Sequence, residues 1–234
     1  MARGKLTERI KRTAGIESFR FLPEEKIQFT AGQFLQIIFD ETNVSNQELN
    51  KYLSFSSSPT KDYIEVTKRL SASQFSQRLK NLEEGDEILF KAPLGSCVFK
   101  DEYKKIGFLI GGIGITPVIS IIEYIMDKKL DTDVTLLYSN KTEEDIAFRK
   151  ELDLWASANS NIKVFYTVTE CEPKDKRCIF GQINKDLLTE KFKALDERIF
   201  FIFGPPKMVE AMKNLCLEAG FNKENVKTEN FIGY

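Results

Sequence analysis

At 234 residues the chain is long enough for one large core or two small ones, and 42% hydrophobic with 29% charged residues is the balance of an ordinary globular protein. Lys plus Arg (34) against Asp plus Glu (35) leaves a net charge of -1, which argues against a broad nucleic-acid or anionic-membrane surface. With 0 histidines, Ser-His-Asp triads and histidine metal sites are excluded, so redox chemistry here requires a bound organic cofactor.

The opening residues lack the apolar core of a signal peptide, and no apolar run approaches the roughly 20 residues that span a bilayer. A cytoplasmic protein without membrane insertion is expected. From about residue 5 to 100 the chain reads as short strands broken by turn residues: Ser18-Phe-Arg-Phe, Phe34-Leu-Gln-Ile-Ile-Phe, Leu53-Ser-Phe-Ser, Tyr63-Ile-Glu-Val-Thr and Glu87-Ile-Leu-Phe. That spacing predicts an antiparallel barrel or sandwich. One helix interrupts it near Ser73 to Asn81, with Ser73 as N-cap and Phe75 and Leu79 on one face.

From about residue 104 the texture changes. Lys105-Ile-Gly-Phe-Leu-Ile runs into Gly111-Gly112, and a helix from Thr116 carries Val118, Ile121, Ile122 and Ile125. Val134-Thr-Leu-Leu-Tyr follows, then a helix through Phe148, Leu152 and Trp155, then Val164-Phe-Tyr-Thr-Val. A short helix at Leu187-Leu188, the strand Ile199-Phe-Phe-Ile-Phe and a helix from Lys207 to Ala219 complete the series. Near-continuous apolar strands alternating with helices predict an α/β parallel sheet covered on both faces. Two domains follow, 1–102 and 103–234. The four cysteines (Cys97, Cys171, Cys178 and Cys216) fit no metal or redox spacing and read as structural or incidental thiols.

Two turns carry the chemistry. Gly111-Gly-Ile-Gly-Ile-Thr-Pro117 follows a buried strand and opens a helix, where free N–H groups and the positive helix end favour a pyrophosphate; Pro117 suits a first helical turn. Taken alone it also suits tight strand–helix packing. Phe203-Gly-Pro-Pro-Lys-Met208 is a second strand-to-helix turn, and on a parallel sheet both fall at the carboxyl edge, where ligands bind. Alone, Gly-Pro-Pro is a common breaker.

With these motifs the chain resembles the ferredoxin–NADP reductase superfamily, in its compact form without an iron–sulfur domain. Gly111, Gly112, Gly114, Thr116 and Pro117 are similar to its Gly-Gly-x-Gly-x-Thr-Pro loop, and Gly204, Pro205 and Met208 to its Cys-Gly-Pro-x-x-Met loop, with Phe203 in place of the Cys beside the nicotinamide. Asn140 to Ile146, the ending Glu229-Asn-Phe-Ile-Gly-Tyr234, Gly32-Gln33-Phe34, Gly85-Asp86 and Ala92-Pro-Leu-Gly95 also match. The flavin motif Arg-x-Tyr-Ser falls on Lys51, Tyr52, Leu53 and Ser54. The resemblance implies that Lys51 contacts the flavin phosphate, Leu53 covers a ring face and Ser54 approaches the reactive nitrogen. Lys supplies a point charge rather than a fork, and Leu cannot stack as Tyr does. Tyr52 would replace Leu53 only through a one-residue register slip, which strand alternation disfavours.

The family's second flavin segment corresponds to Ser73, Gln74, Phe75 and Ser76, also readable as a plain helix cap, with Thr67, Lys68 and Arg69 just upstream. A pyrophosphate seat there implies FAD; without it FMN becomes the alternative. The resemblance implies hydride transfer from NADH or NADPH to FAD and onward passage of electrons to a protein acceptor such as a ferredoxin, a flavodoxin or a partner oxygenase. In it Ser54 and Thr116 orient the rings, Glu229 supports the reduced flavin or a proton path, and Tyr234 stacks on the second flavin face. The ribose is read after the third strand, at Thr169 and Glu170; Glu170 repels a 2′-phosphate, Lys141 and Arg149 counter it only if they point inward, and NADH is favoured. The alternatives are an electron-transfer subunit, a small-molecule flavin or ferric reductase, and a weakly active nucleotide-binding module.

Overall fold

The structure is a computed structural model that describes residues 1–193 and 195–231, and its contacts divide the chain into two units. In the first (1–99 with 116–128), strands β1 (Ala2–Lys11), β2 (Ile16–Pro23), β3 (Phe34–Ile38), β4 (Asn50–Ser54), β5 (Ile64–Arg69) and β6 (Glu87–Leu94) form an antiparallel sheet in the order β4-β3-β6-β1-β2-β5. Its two ends meet: Phe55 bridges Val66, and Ser56 N donates to Glu65 O at 2.7 Å. The sheet is therefore a barrel, with both edges closed. Phe19, Phe21, Leu35, Ile37, Val66 and Phe90 fill it. Helix α1 (Gln74–Lys80) adds Phe75 and Leu79 to that core and is capped by Ser73, whose side chain accepts from Ser76 N, as its sequence predicts. Helix α2 (Thr116–Lys128) groups with this unit, where Ser58 N donates to Glu123 Oε2 at 2.6 Å.

In the second unit (100–115 with the described residues from 129 on), β7 (Lys105–Gly111), β8 (Asp133–Asn140), β9 (Ile162–Val168), β10 (Cys178–Phe180), β11 (Ile199–Gly204) and β12 (Val226–Asn230) form a parallel sheet. The order is β10-β9-β8-β7-β11-β12, so the strand sequence reverses direction between β7 and β11. Helices α4 (Lys185–Lys191) and α5 (Pro206–Glu218) bring Leu187, Leu188 and Val209 against Leu109, Leu137, Phe200 and Ile202. Helix α3 (Arg149–Ala158) meets the sheet through Asp153, which accepts from Tyr166 OH at 2.8 Å.

Three strands escaped the sequence reading. β1 buries only Gly4 and Leu6 among many charges, β10 has 3 residues, and β12 (Val-Lys-Thr-Glu-Asn) has no buried residue; none carries the apolar run by which the other strands were found. The helix expected through Phe148 begins one residue later, because Phe148 takes a left-handed conformation (φ 58°) that ends the preceding turn.

Candidate functional site

On the barrel, the β3–β4 register pairs Leu35 with Leu53, Gln36 with Tyr52 and Ile37 with Lys51. Leu35 and Ile37 face the core, so Lys51 and Leu53 share that face, while Tyr52, 60% exposed, points the other way with its ring edge-on to Phe34. No register slip brings Tyr52 to the place expected of Leu53. Lys68 continues the inward face of Ile64 and Val66 on β5 and is 8% exposed, its ammonium 5.9 Å from the Phe75 ring. Burial, and then the charge of Lys51, pulls the Lys68 pKa down. Among the described residues neither lysine has a carboxylate partner. Two cations held this way, beside the cap of α1, lack a counter-anion, and a dinucleotide phosphate fits that need.

The surrounding polar residues divide into two sets. Ser73 and Ser76, at the start of α1, hydrogen-bond each other at 3.1 Å, and Gln74 Nε2 donates to Glu48 at 3.1 Å on the exposed side. Phe75 is fully buried core, and Ser54 is buried at the end of β4. The Thr67 hydroxyl is shared between Ser18 (2.6 Å) and Ser56 (2.7 Å) in a buried network. That network also holds Glu65, paired with Arg12 at 2.9 Å and Arg20 at 2.8 Å. The serine-rich stretch after Ser54 thus closes the barrel.

In the second unit the two glycine turns touch. A Cβ on Gly114 would stand 2.2 Å from Phe203 O and 3.4 Å from Gly204 Cα. Only glycine allows the β7 and β11 turns this approach, at the point where strand order reverses, which is where sheets of this kind bind their ligands. Gly112 has φ +52°, and its carbonyl accepts from Tyr138 OH at 3.0 Å. Gly204 has φ +154°, and Met208 Sδ lies within van der Waals reach of both Gly111 and Gly204. Phe203 is fully buried between Phe201 and Phe231, and Pro205 caps α5 with its ring exposed. Thr116 and Pro117 open α2, both buried.

Tyr138 and Asn140 were not foreseen as site residues, since alternation marks the first only as core. Asn140, at the carboxyl end of β8, is 6% exposed, with neither side-chain amide atom hydrogen-bonded among the described residues. Next to it, Thr169 Oγ1 lies 3.4 Å from Asn140 O, and Lys141 Nζ pairs with Glu170 Oε1 at 2.6 Å. Arg149 pairs with Asp175 at 2.5 Å and lies over the Tyr166 ring, so it does not supply a free charge to this edge.

Glu229 pairs with Phe203 across β11–β12, at the same carboxyl edge. Its Oε2 is buried without a hydrogen-bond partner among the described residues, and desolvation raises its pKa from 4.5 to about 7. A raised carboxyl pKa means a stability contribution that is full below pH 4.5 and lost as pH rises through about 7. Glu229→Gln is expected to gain ~1–2 kcal/mol over wild type at pH 8, allowing for partial solvent access, and nothing at pH 4.5. Thermal melts across this range check it, and a pH-independent difference contradicts it. Tyr234, expected to stack on the flavin, lies outside the described residues.

Residues 3–99 match the family model of the oxidoreductase FAD-binding domain, and residues 108–214 that of the oxidoreductase NAD-binding domain. The chain is 31% identical over 218 residues to NADH-cytochrome b5 reductase 1 of Dictyostelium discoideum, covering 90% of this chain and 75% of that protein. The cytochrome b5 reductase domain of Ulva prolifera nitrate reductase superposes with a TM-score of 0.83 at 25% identity, covering 97% of this chain and 96% of that one. A ferredoxin NADP+ reductase from Neisseria gonorrhoeae with bound FAD and NADP superposes with a TM-score of 0.84 over 98% of each chain; at 20% identity this is a likeness of fold alone.

Proposed function

The chain belongs to the ferredoxin–NADP reductase-like family of oxidoreductases that join an FAD-binding to an NAD-binding domain, and from that premise we propose that it takes hydride from NADH onto FAD and passes the electrons to a protein acceptor. We assign residues 1–102 to the FAD domain and 103–234 to the NAD(P) domain. FAD, when bound, supplies the step between a two-electron donor and a one-electron acceptor. In this reading Lys51 and Lys68 neutralise the flavin phosphates, Ser73, Gln74 and Ser76 offer the start of α1, and Ser54 and Leu53 lie against the ring. The turns at Gly111, Gly112, Gly114, Thr116 and Pro117, with Gly204, Pro205 and Met208, receive the nicotinamide dinucleotide.

The observation that carries the reading is the lysine pair without a carboxylate. A nucleotide-binding sheet alone accounts for a silent binder, whereas a second phosphate seat asks for a second dinucleotide. Purified protein is expected to be yellow and to bleach anaerobically with NADH faster than with NADPH. A protein that takes up no FAD ends the proposal. Lys51→Ala is expected to weaken FAD retention roughly tenfold, the loss of one charged contact; unchanged flavin occupancy rules out that role. The acceptor to test first is a small haem protein, in keeping with the cytochrome b5 reductase name of its relative. A cytoplasmic location accords with cysteines that form no disulfide among the described residues, since thiols stay reduced there. Among the described residues no helix is long and apolar enough to cross a membrane.

A further inference from the structure

Helix α2 buries Val118, Ile119, Ile121, Ile122 and Ile125. Thr116, Ser120, Glu123 and Asp127 interrupt that apolar surface at i, i+4, i+7 and i+11, so they share one stripe of the helix. The second half of the stripe is bonded to the loop that leaves β4. Ser58 N donates to Glu123 Oε2 at 2.6 Å, and Lys61 Nζ lies 3.3 Å from Glu123 Oε1 and 2.9 Å from Asp127 Oδ2. Thr60 Oγ1 also donates to Asp127, and the Tyr124 ring meets Phe99 edge-on at 6.1 Å. The loop itself has no slack. Phe55 N donates to Gln33 O at 3.1 Å, Ser56 N to Glu65 O at 2.7 Å, and Glu65 N to Ser57 Oγ at 2.9 Å. Phe55, Ser56, Ser57 and Ser58 are thus each fixed, and the Glu123 side chain, 19% exposed, joins the end of this braced segment to α2.

On the reading that Ser54 lies against the flavin and Thr116 receives the nicotinamide dinucleotide, we propose that Glu123 is a positioning residue for hydride transfer, acting through the Ser58 backbone and through α2. The length of its side chain sets where the helix stands against the segment that begins at Ser54, and Thr116 lies about 10 Å further along the same helix. Hydride transfer depends steeply on the distance and angle between donor and acceptor. A shift of a fraction of an ångström in one support therefore acts on the rate of that step and little on affinity for either cofactor. Length matters more than charge here, because Asp127 still holds Lys61 when Glu123 is neutral, and a neutral amide oxygen still accepts from Ser58 N.

The test uses the FAD-loaded protein in anaerobic stopped flow, which separates the limiting rate of flavin reduction from the NADH dissociation constant. Three variants are compared with wild type: Glu123→Gln keeps the length and removes the charge, Glu123→Asp keeps the charge and shortens the reach by one carbon, and Glu123→Ala removes both. Glu123→Asp and Glu123→Ala are expected to lower the limiting rate about tenfold, with the dissociation constant and FAD content within twofold. Glu123→Gln is expected to stay within twofold in all three. A merely structural role lowers the melting temperature and leaves the limiting rate alone. If Glu123→Ala does not fold, Glu123→Asp carries the test. Limiting rates within twofold of wild type in Glu123→Asp overturn the inference, as does a Glu123→Gln as slow as Glu123→Asp, or a loss confined to the dissociation constant; the oxidoreductase reading survives each. Wild type whose flavin NADH does not reduce removes that reading, and the inference with it.

Discussion

Gly114→Ala is expected to cut NADH-dependent flavin reduction by at least a hundredfold. The added methyl would lie 2.2 Å from Phe203 O and 3.0 Å from Phe203 C, and both are backbone atoms that no rotamer change can move. Relief requires the β7 turn and the β11 turn to separate. Phe203 resists, because it is fully buried and hydrogen-bonded in register with both β7 and β12 neighbours. The β7 turn must therefore shift, carrying with it the backbone N–H groups that the proposed function assigns to the pyrophosphate. A displacement near 1 Å at a positioning element costs about two orders of magnitude in rate. Stopped-flow reduction by NADH, with circular dichroism and flavin content as controls, makes the measurement. A variant that folds, retains FAD and reduces within threefold of wild type would show that the contact between the turns is packing alone.

Arg198→Met is expected to destabilise the protein by about 3–5 kcal/mol, the cost of breaking a buried ionic cluster from one side. Arg198 is 2% exposed at the amino-terminal edge of the parallel sheet. Its Nη1 donates to Ile106 O at 2.6 Å and to Asp133 O at 3.2 Å, and its Nε donates to Lys193 O at 3.3 Å. Its Nη2 lies 3.1 Å from Asp133 Oδ1, an ion pair off the hydrogen-bond axis. One guanidinium thus ties the starts of β7 and β8 to the approach to β11. Methionine fills much of the volume, removes this donor from three carbonyls and leaves the Asp133 carboxylate without its ion-pair partner. A loss of that size lowers the melting temperature by about 6–20 °C in a chain of this length. The clasp is at the edge opposite the glycine turns, so the surviving folded fraction should bind NAD+ with unchanged affinity. Urea melts and calorimetry separate the two effects; a destabilisation below 1 kcal/mol refutes the clasp.

The glycine turns were readable in the chain because strand, glycine and helix are local patterns, each enforced by neighbours within a few residues. The Gly114 approach to Phe203 needed the β7–β11 pairing, which no local pattern encodes. Lys51 and Leu53 were legible for the same reason as the turns: strand alternation puts them on one face, and the register keeps Tyr52 on the other. The unbalanced charge of Lys68 was not, since a basic pair in a sequence reads equally well as a solvated surface. Burial on β5 beside Phe75 and Lys51 turns it into a need for an anion.

The serines and threonine around Ser54 show the division most clearly. The resemblance implies that Thr67 lies beside the cofactor, and a serine-rich stretch reads as a surface strand; in space Ser56 and Thr67 join Ser18 and Glu65 across the closing seam of the barrel. Sequence alone determined the two fold classes, the order of most elements and the position of both glycine turns, because periodicity and glycine placement act over a few residues. Tertiary structure alone decided which polar groups are spent on one another and which are left wanting a partner, because that balance depends on burial and on contacts between residues far apart in the chain.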